Sequence, residues 1–208
     1  MMHADMIPPF IPHNYGLLEW NGQLNSLASA LKCAWQITTV SDSYMDELGY
    51  SSSGLENLFQ IEASKSRGIV NGIDNEIWDP ATDPLIEFNY TSQTVKSGKK
   101  KNKEVLCEQF GLNPELPTVA FIGRLVREKG ADLLPDLIKH FMGAEHTVNF
   151  ILLGTGDPVL HDIFARMEDD HFGYFDATLE YNEQLAHQMY AGSDFILMPS
   201  RVEPCGLN

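Results

Sequence analysis

The sequence predicts an α/β chain built on a doubly wound, parallel, Rossmann-like sheet. Three observations carry this. After Pro117, short apolar runs alternate with stretches of helical period, which is the pattern of βαβ units. The runs Thr118-Val119-Ala120-Phe121-Ile122 and Val148 to Leu153 are apolar at nearly every position, as expected of strands buried on both faces. Glycines stand where each run gives way to the next helix, at Gly123 and at Gly154-Thr155-Gly156.

Residues Met1 to Asn21 are rich in Pro and aromatics and read as a loop. From Gly22 to Trp35, the apolar positions Leu24, Leu27, Ala28, Leu31, Ala34 and Trp35 fall on one helical face. Gln36 to Val40 is a β-branched strand, and Ser41 caps a helix through Leu48. A Ser-rich loop leads to a short helix over Leu55 to Gln60, and Gly68-Ile69-Val70 reads as a strand ended by the turn dipeptide Asn71-Gly72. Residues 73–90 hold five acidic side chains and two prolines and show no clean period. The basic run Lys96 to Lys103 suits either contact with an anionic polymer or a solvated loop before a helix beginning near Asn102; the second is expected.

The remaining elements follow the alternation. A helix runs from Gly130 through Phe141, another from Asp157-Pro158 to about Met167, and a third from Asn182 to Ala191. Between them lie a weaker strand near Phe175 to Leu179 and a final apolar run, Phe195 to Met198, expected as a buried strand. The chain then stops with no helix to complete the unit, the ending expected of a piece of a larger enzyme.

Composition narrows the classes of function. The 208 residues are 43% hydrophobic and 21% charged, ordinary for a globular protein. Fourteen Lys and Arg stand against 29 Asp and Glu, a formal charge of −15 that argues against a nucleic-acid surface. Cys33, Cys107 and Cys205 are odd in number and far apart, so neither a zinc site nor a disulfide framework is expected, and a reducing cytoplasm fits. No apolar run is long enough to span a bilayer, and Met1 to Pro9 has neither the basic nor the apolar region of a leader peptide.

Chemistry concentrates in the loops at the carboxyl ends of the strands, where an α/β sheet binds its ligands. Gly123-Arg124-Leu125-Val126-Arg127-Glu128-Lys129-Gly130 leads into a helix N-terminus, where backbone N–H groups favour an anion. Arg124 offers a planar fork for phosphate oxygens and Lys129 a compact charge; the competing role for Arg124 is a surface ion pair. Gly154-Thr155-Gly156-Asp157-Pro158 lacks the Lys of a Walker A loop and the third Gly of a dinucleotide fingerprint, so a tight turn and a ligand contact both fit Gly154. Tyr181, between a strand and a helix, either stacks on a planar base or packs a loop. His161 and His187 read as ordinary helix residues. Glu203 either accepts hydrogen bonds from sugar hydroxyls and stabilises positive charge at an anomeric carbon, or sits in a plain turn. Cys205 is a reactive thiol only if its surroundings depress its pKa.

Taken together, Gly123-Arg124-Leu125 with Lys129-Gly130, Leu153 to Pro158, and Pro199-Ser200-Arg201 through Leu207 resemble the bacterial glycogen synthase and plant starch synthase family. Upstream, Thr38 to Ser41, Asn71-Gly72-Ile73-Asp74 with Trp78, and Ala81-Thr82-Asp83-Pro84 match the same family in the same order. The resemblance implies a retaining glucosyltransferase of the two-Rossmann-domain GT-B type. It would move glucose from ADP-glucose to the non-reducing end of an α-1,4-glucan such as glycogen, in the cytoplasm, without nucleic acid, membrane, metal or other cofactor. By the family's pattern, Arg124 and Lys129 hold the diphosphate and stabilise departing ADP. Glu203 faces the donor glucose, and Cys205, Gly206 and Leu207 line the sugar and phosphate pocket. Tyr181 packs on adenine, and Asn71 sits at the interdomain hinge near the acceptor.

The implied organisation is residues 1–68 as the end of an acceptor-side domain, 69–116 as linker and entry segment, and 117–208 as the first part of a nucleotide-sugar-binding domain. The sequence departs from the family in lacking its Lys-x-Gly-Gly-Leu loop and its donor-facing His, and in carrying Asn208 where many members have Thr. An isolated chain of this extent is expected to be inactive. The competing readings are a GT-B transferase using a UDP-sugar, and an inactive nucleotide- or glucan-binding remnant.

Overall fold

A computed structural model of the chain describes residues 16–142 and 148–207. The loop expected before residue 16 and the Asn208 position lie outside the described residues. The chain divides into two compact units, Met1–Gly72 with Pro204–Leu207, and Ile73–Glu203.

The described part of the first unit begins with an antiparallel hairpin, β1 (Glu19–Trp20) and β2 (Gln23–Leu24), where a loop through Asn21 and then a helix were expected. Its turn is Asn21-Gly22, with φ of 53° and 75°, the paired positive angles of a type I′ hairpin turn. Helix α1 (Ser26–Cys33) follows, capped by the Asn25 side chain, which accepts from the Ala28 N–H at 3.0 Å. Strand β3 (Ile37–Thr39) leads into α2 (Asp42–Leu48), and Ser41 caps that helix as expected. The Ser41 hydroxyl also donates to the Pro204 carbonyl at 2.6 Å, which ties the returning segment into this unit. After α3 (Glu56–Ile61), β4 (Ser66–Gly68) pairs with β3 in parallel. It lies two residues earlier than expected because the ladder ends with Thr39 opposite Gly68. Ile69 and Val70, whose character suggested a strand, are exposed instead.

In the second unit, residues 73–94 form turns, and helix α4 spans Val95–Phe110. The basic run is therefore helical from its start, not a loop before Asn102. The buried stripe of this helix is Gly98, Asn102 and Leu106, and a Cβ on Gly98 would lie 2.3 Å from the Tyr90 Cβ. Asn102 donates to the carbonyls of Phe88 and Gly98 and accepts from the Phe88 N–H. Lys99 donates to the carbonyls of Tyr190 and Ala191, and Lys103 pairs with Asp194 at 2.7 Å.

The parallel sheet comprises β5 (Thr118–Ile122), β6 (Asn149–Leu153), β7 (Phe175–Thr178) and β8 (Phe195–Ile196), in the spatial order β7-β6-β5-β8. Helices α5 (Leu134–Phe141), α6 (Pro158–Asp170) and α7 (Glu183–Gly192) connect them. Alternate side chains of β6 feed two cores. Phe150 and Leu152 join Ile138 and Phe164 of α5 and α6, while Ile151 and Leu153 join Leu106 of α4 and Leu185 and Met189 of α7. Helices thus cover both faces, as a doubly wound sheet requires. One expectation fails: β8 is not buried. Phe195 is 61% exposed and Ile196 37%, because β8 pairs only with β5 at the edge of the described sheet.

Candidate functional site

Strand order reverses at β5. The chain moves from β5 to β6 and β7 on one side and returns through α7 to place β8 on the other. The loops after β5 and β8 therefore meet at the carboxyl edge of the sheet, at the switch point where such folds bind ligands.

That meeting brings Lys129 and Glu203 together from 74 residues apart, with Nζ 2.6 Å from Oε2. Both side chains are largely shielded, at 21% and 27% exposure. The Ser200 hydroxyl donates to the same carboxylate oxygen at 2.9 Å. Arg124 lies in the same β5 loop but is exposed, with its guanidinium 3.5 Å from Glu128. A surface pair of that length is weak. The loops approach closely because residue 130 is glycine: its φ is +71°, and a Cβ there would lie 2.2 Å from the Pro199 carbonyl oxygen.

The β5 and β6 loops are joined in the same way. Leu125 donates to the Thr155 carbonyl at 2.9 Å, Asp157 donates to the Leu125 carbonyl at 2.9 Å, and Leu125 bridges Gly156 in parallel. A Cβ on buried Gly154 would lie 2.0 Å from the Gly123 carbonyl oxygen, so this glycine is required by contact between the loops themselves. The Asp157 carboxylate caps α6 by accepting from the Val159 N–H.

Tyr181 follows β7 and is 82% exposed, so its ring does not pack a loop. The other expected site residues belong to the first unit. Asn71 is exposed, Cys205 is a half-buried free thiol, Gly206 has φ of +74°, and Leu207 is 49% exposed.

Sequence reasoning missed two sets of residues. Arg201 makes a two-pronged pair with Asp132, at 2.6 and 3.0 Å, and donates to the Arg127 carbonyl at 2.6 Å. The Arg201 guanidinium beside Asp132 holds that carboxyl below the usual aspartate range. His187, read as an ordinary helix residue, is fully enclosed. Its Nδ1 lies 2.6 Å from the Asp83 carboxylate, and its ring stacks on Trp78 with centroids 3.7 Å apart. A separation of 104 residues left no spacing in the sequence to reveal this pair. His161 is a local cap, with Nε2 accepting from the Gly156 N–H at 3.1 Å.

Comparison with known proteins defines the class. A starch synthase catalytic domain family matches residues 4–61. Glycogen synthase of Flavobacterium johnsoniae is 50% identical over 207 residues, covering 97% of this chain and 43% of that protein. The catalytic domain of starch synthase IV from Arabidopsis thaliana, solved bound to ADP and acarbose, superimposes with a TM-score of 0.81 at 33% identity, over 90% of this chain and 39% of that one. Anabaena HepE, solved with UDP and glucose, shares the fold with a TM-score of 0.54 at 17% identity. The chain spans less than half the length of the curated relatives that it matches.

The architecture is that of a partial GT-B glycosyltransferase. Within that class, the chain matches part of the glycogen and starch synthases over nearly its whole length. Among the described residues, no helix is long and apolar enough to cross a membrane.

Proposed function

We propose that this chain carries the donor-side groups of a retaining glucosyltransferase that moves glucose from ADP-glucose to the non-reducing end of an α-1,4-glucan in the cytoplasm. The observation that carries the reading is the convergence of Lys129 and Glu203, with Arg124 in the same loop, at the switch point of the sheet. When the bond between anomeric carbon and diphosphate breaks, negative charge develops on the departing phosphate and positive charge on the sugar. Lys129 and Arg124 address the first, and Glu203 the second. One ammonium has three N–H donors, so Lys129 can hold Glu203 and a phosphate oxygen together.

In this reading the exposed Tyr181 ring offers its face to adenine, and Gly154 keeps the second loop low beneath the donor. Cys205, Gly206 and Leu207 line the sugar side, and Asn71 lies at the hinge toward the acceptor. Residues 1–68 then belong to the acceptor-side domain, 69–116 to the linker, and 117–208 to the nucleotide-sugar domain. The adenine nucleotide in the starch synthase IV structure favours ADP over UDP as the donor nucleotide.

Calorimetric titration of the chain with ADP and UDP tests this. ADP is expected to bind more tightly than UDP. Lys129→Ala is expected to weaken ADP binding about 10- to 100-fold, the value of one or two charge-assisted hydrogen bonds. Tyr181→Ala should weaken it about 5-fold, as loss of one stacking face. Equal ADP affinity in wild type and Lys129→Ala refutes the assignment.

A further inference from the structure

The loop that carries Glu203 also carries Arg201, two residues away and of opposite charge, yet the cation on Glu203 is Lys129 from the other loop. Arg201 is committed elsewhere. Its two terminal nitrogens grip both carboxylate oxygens of Asp132, and one of them also donates to the Arg127 carbonyl. Its backbone N–H donates to the Glu128 carbonyl at 2.8 Å, and the Val202 N–H donates to the same carbonyl at 3.3 Å. These bonds fasten the β8 loop to residues 127–132, the segment that contains Lys129.

We propose that Asp132 and Arg201 are positioning residues that fix Glu203 against Lys129 and keep the Arg201 guanidinium out of the donor site. The proposal rests on the donor-site reading given above. Its basis is geometric: a planar guanidinium bound at two points fixes an orientation, which a single-point lysine contact does not. A loop fixed on both its backbone and a side chain presents its carboxylate at one place, and pre-organised geometry of this kind is what a charge-stabilising site depends on.

The sign of one substitution separates positioning from simple electrostatics. Asp132→Asn removes a negative charge near the loop. If Asp132 acted only through its field, the anion ADP would bind more tightly. A clamp predicts the reverse, because the loop carrying Glu203 loosens and Arg201 is released. The experiment pairs ADP titration with hydrogen exchange of backbone amides, in wild type, Asp132→Asn, Arg201→Lys and the control Asp136→Asn, which removes an exposed charge one turn away. Asp132→Asn and Arg201→Lys are expected to weaken ADP binding about 5- to 10-fold and to speed exchange at Arg201 and Val202 about 10-fold or more, while Asp136→Asn leaves both unchanged. Tighter ADP binding in Asp132→Asn, or unchanged exchange at Arg201, overturns the clamp. Failure of the wild-type chain to bind ADP overturns the donor-site reading, and the positioning role with it.

Discussion

Replacing Gly130 with Ala tests how closely the site depends on the approach of its two loops. Two costs arise. The φ of +71° lies in the left-handed region, where a Cβ costs about 1 kcal/mol or slightly more. The new methyl would also lie 2.2 Å from the Pro199 carbonyl oxygen, 2.9 Å from its carbon and 3.0 Å from the proline Cγ. Relief requires the β8 loop to retreat by about 1 Å, against contacts that include the Arg201 N–H bond to Glu128, adding about 1–3 kcal/mol. The expected loss is about 2–4 kcal/mol in total. Gly111→Ala isolates the first cost: φ there is +64°, in the same compact unit, and nothing lies within 4 Å of an added Cβ. It should lose only about 1 kcal/mol. Urea unfolding followed by far-ultraviolet circular dichroism measures both. If the two variants unfold within about 0.5 kcal/mol of each other, the loops do not need the glycine and the close approach is not a constraint.

Asp83→Ala should destabilise the second unit by about 3 kcal/mol, since it leaves the enclosed His187 Nδ1 without its acceptor and removes the carboxylate that caps the Leu85 N–H; urea unfolding within 1 kcal/mol of wild type would contradict this. Asp176→Asn should stabilise at neutral pH. Burial raises the Asp176 carboxyl above its ordinary value of 3.8, so the folded state holds this proton to higher pH than the unfolded chain. The group's cost is absent below the unfolded value, grows as pH rises from there, and is complete above the folded value. The gain from Asn should therefore shrink as pH falls through the acidic range, and a gain equal at pH 3 and pH 7 would show that burial of the charge is not its source.

The central sheet was legible because β5 and β6 are five-residue runs buried on both faces, so their side chains had to be apolar nearly throughout. Helix α4 was legible only in its second half. Its first buried positions are Gly98 and Asn102, one small because Tyr90 lies against it and one polar because it binds the Phe88 backbone. Neither marks an apolar face. The Asn21-Gly22 turn signal was present, but strands two residues long leave almost no alternation to read. Arg124, Lys129 and Glu203 were legible as candidates because loops at strand ends are where charged groups acquire a purpose. The Lys129–Glu203 contact itself was not, since it exists only once β8 returns to the side of β5 opposite β6.

Arg124 and Lys129, two of the three cations of the β5 loop, are held so differently that they are suited to different work. Arg124 and Glu128 are 66% and 68% exposed and 3.5 Å apart, a pair that solvent screens and that yields to a better acceptor at little cost. Lys129 and Glu203 are 2.6 Å apart and mostly shielded, where effective dielectric is lower and separating the partners is correspondingly unfavourable. An incoming diphosphate would thus draw Arg124 from Glu128 but would have to share Lys129 with Glu203. Sharing has a chemical consequence. In the proposed donor site, Glu203 and phosphate would compete for the same ammonium while the sugar is neutral. As the bond between anomeric carbon and diphosphate broke, the carboxylate would gain a positive anomeric centre and the phosphate would gain charge, so Lys129 could shift toward the phosphate without leaving Glu203 uncompensated. Under this proposal Lys129 and Glu203 together would bind most favourably once charge has separated, which is the differential binding that accelerates a reaction.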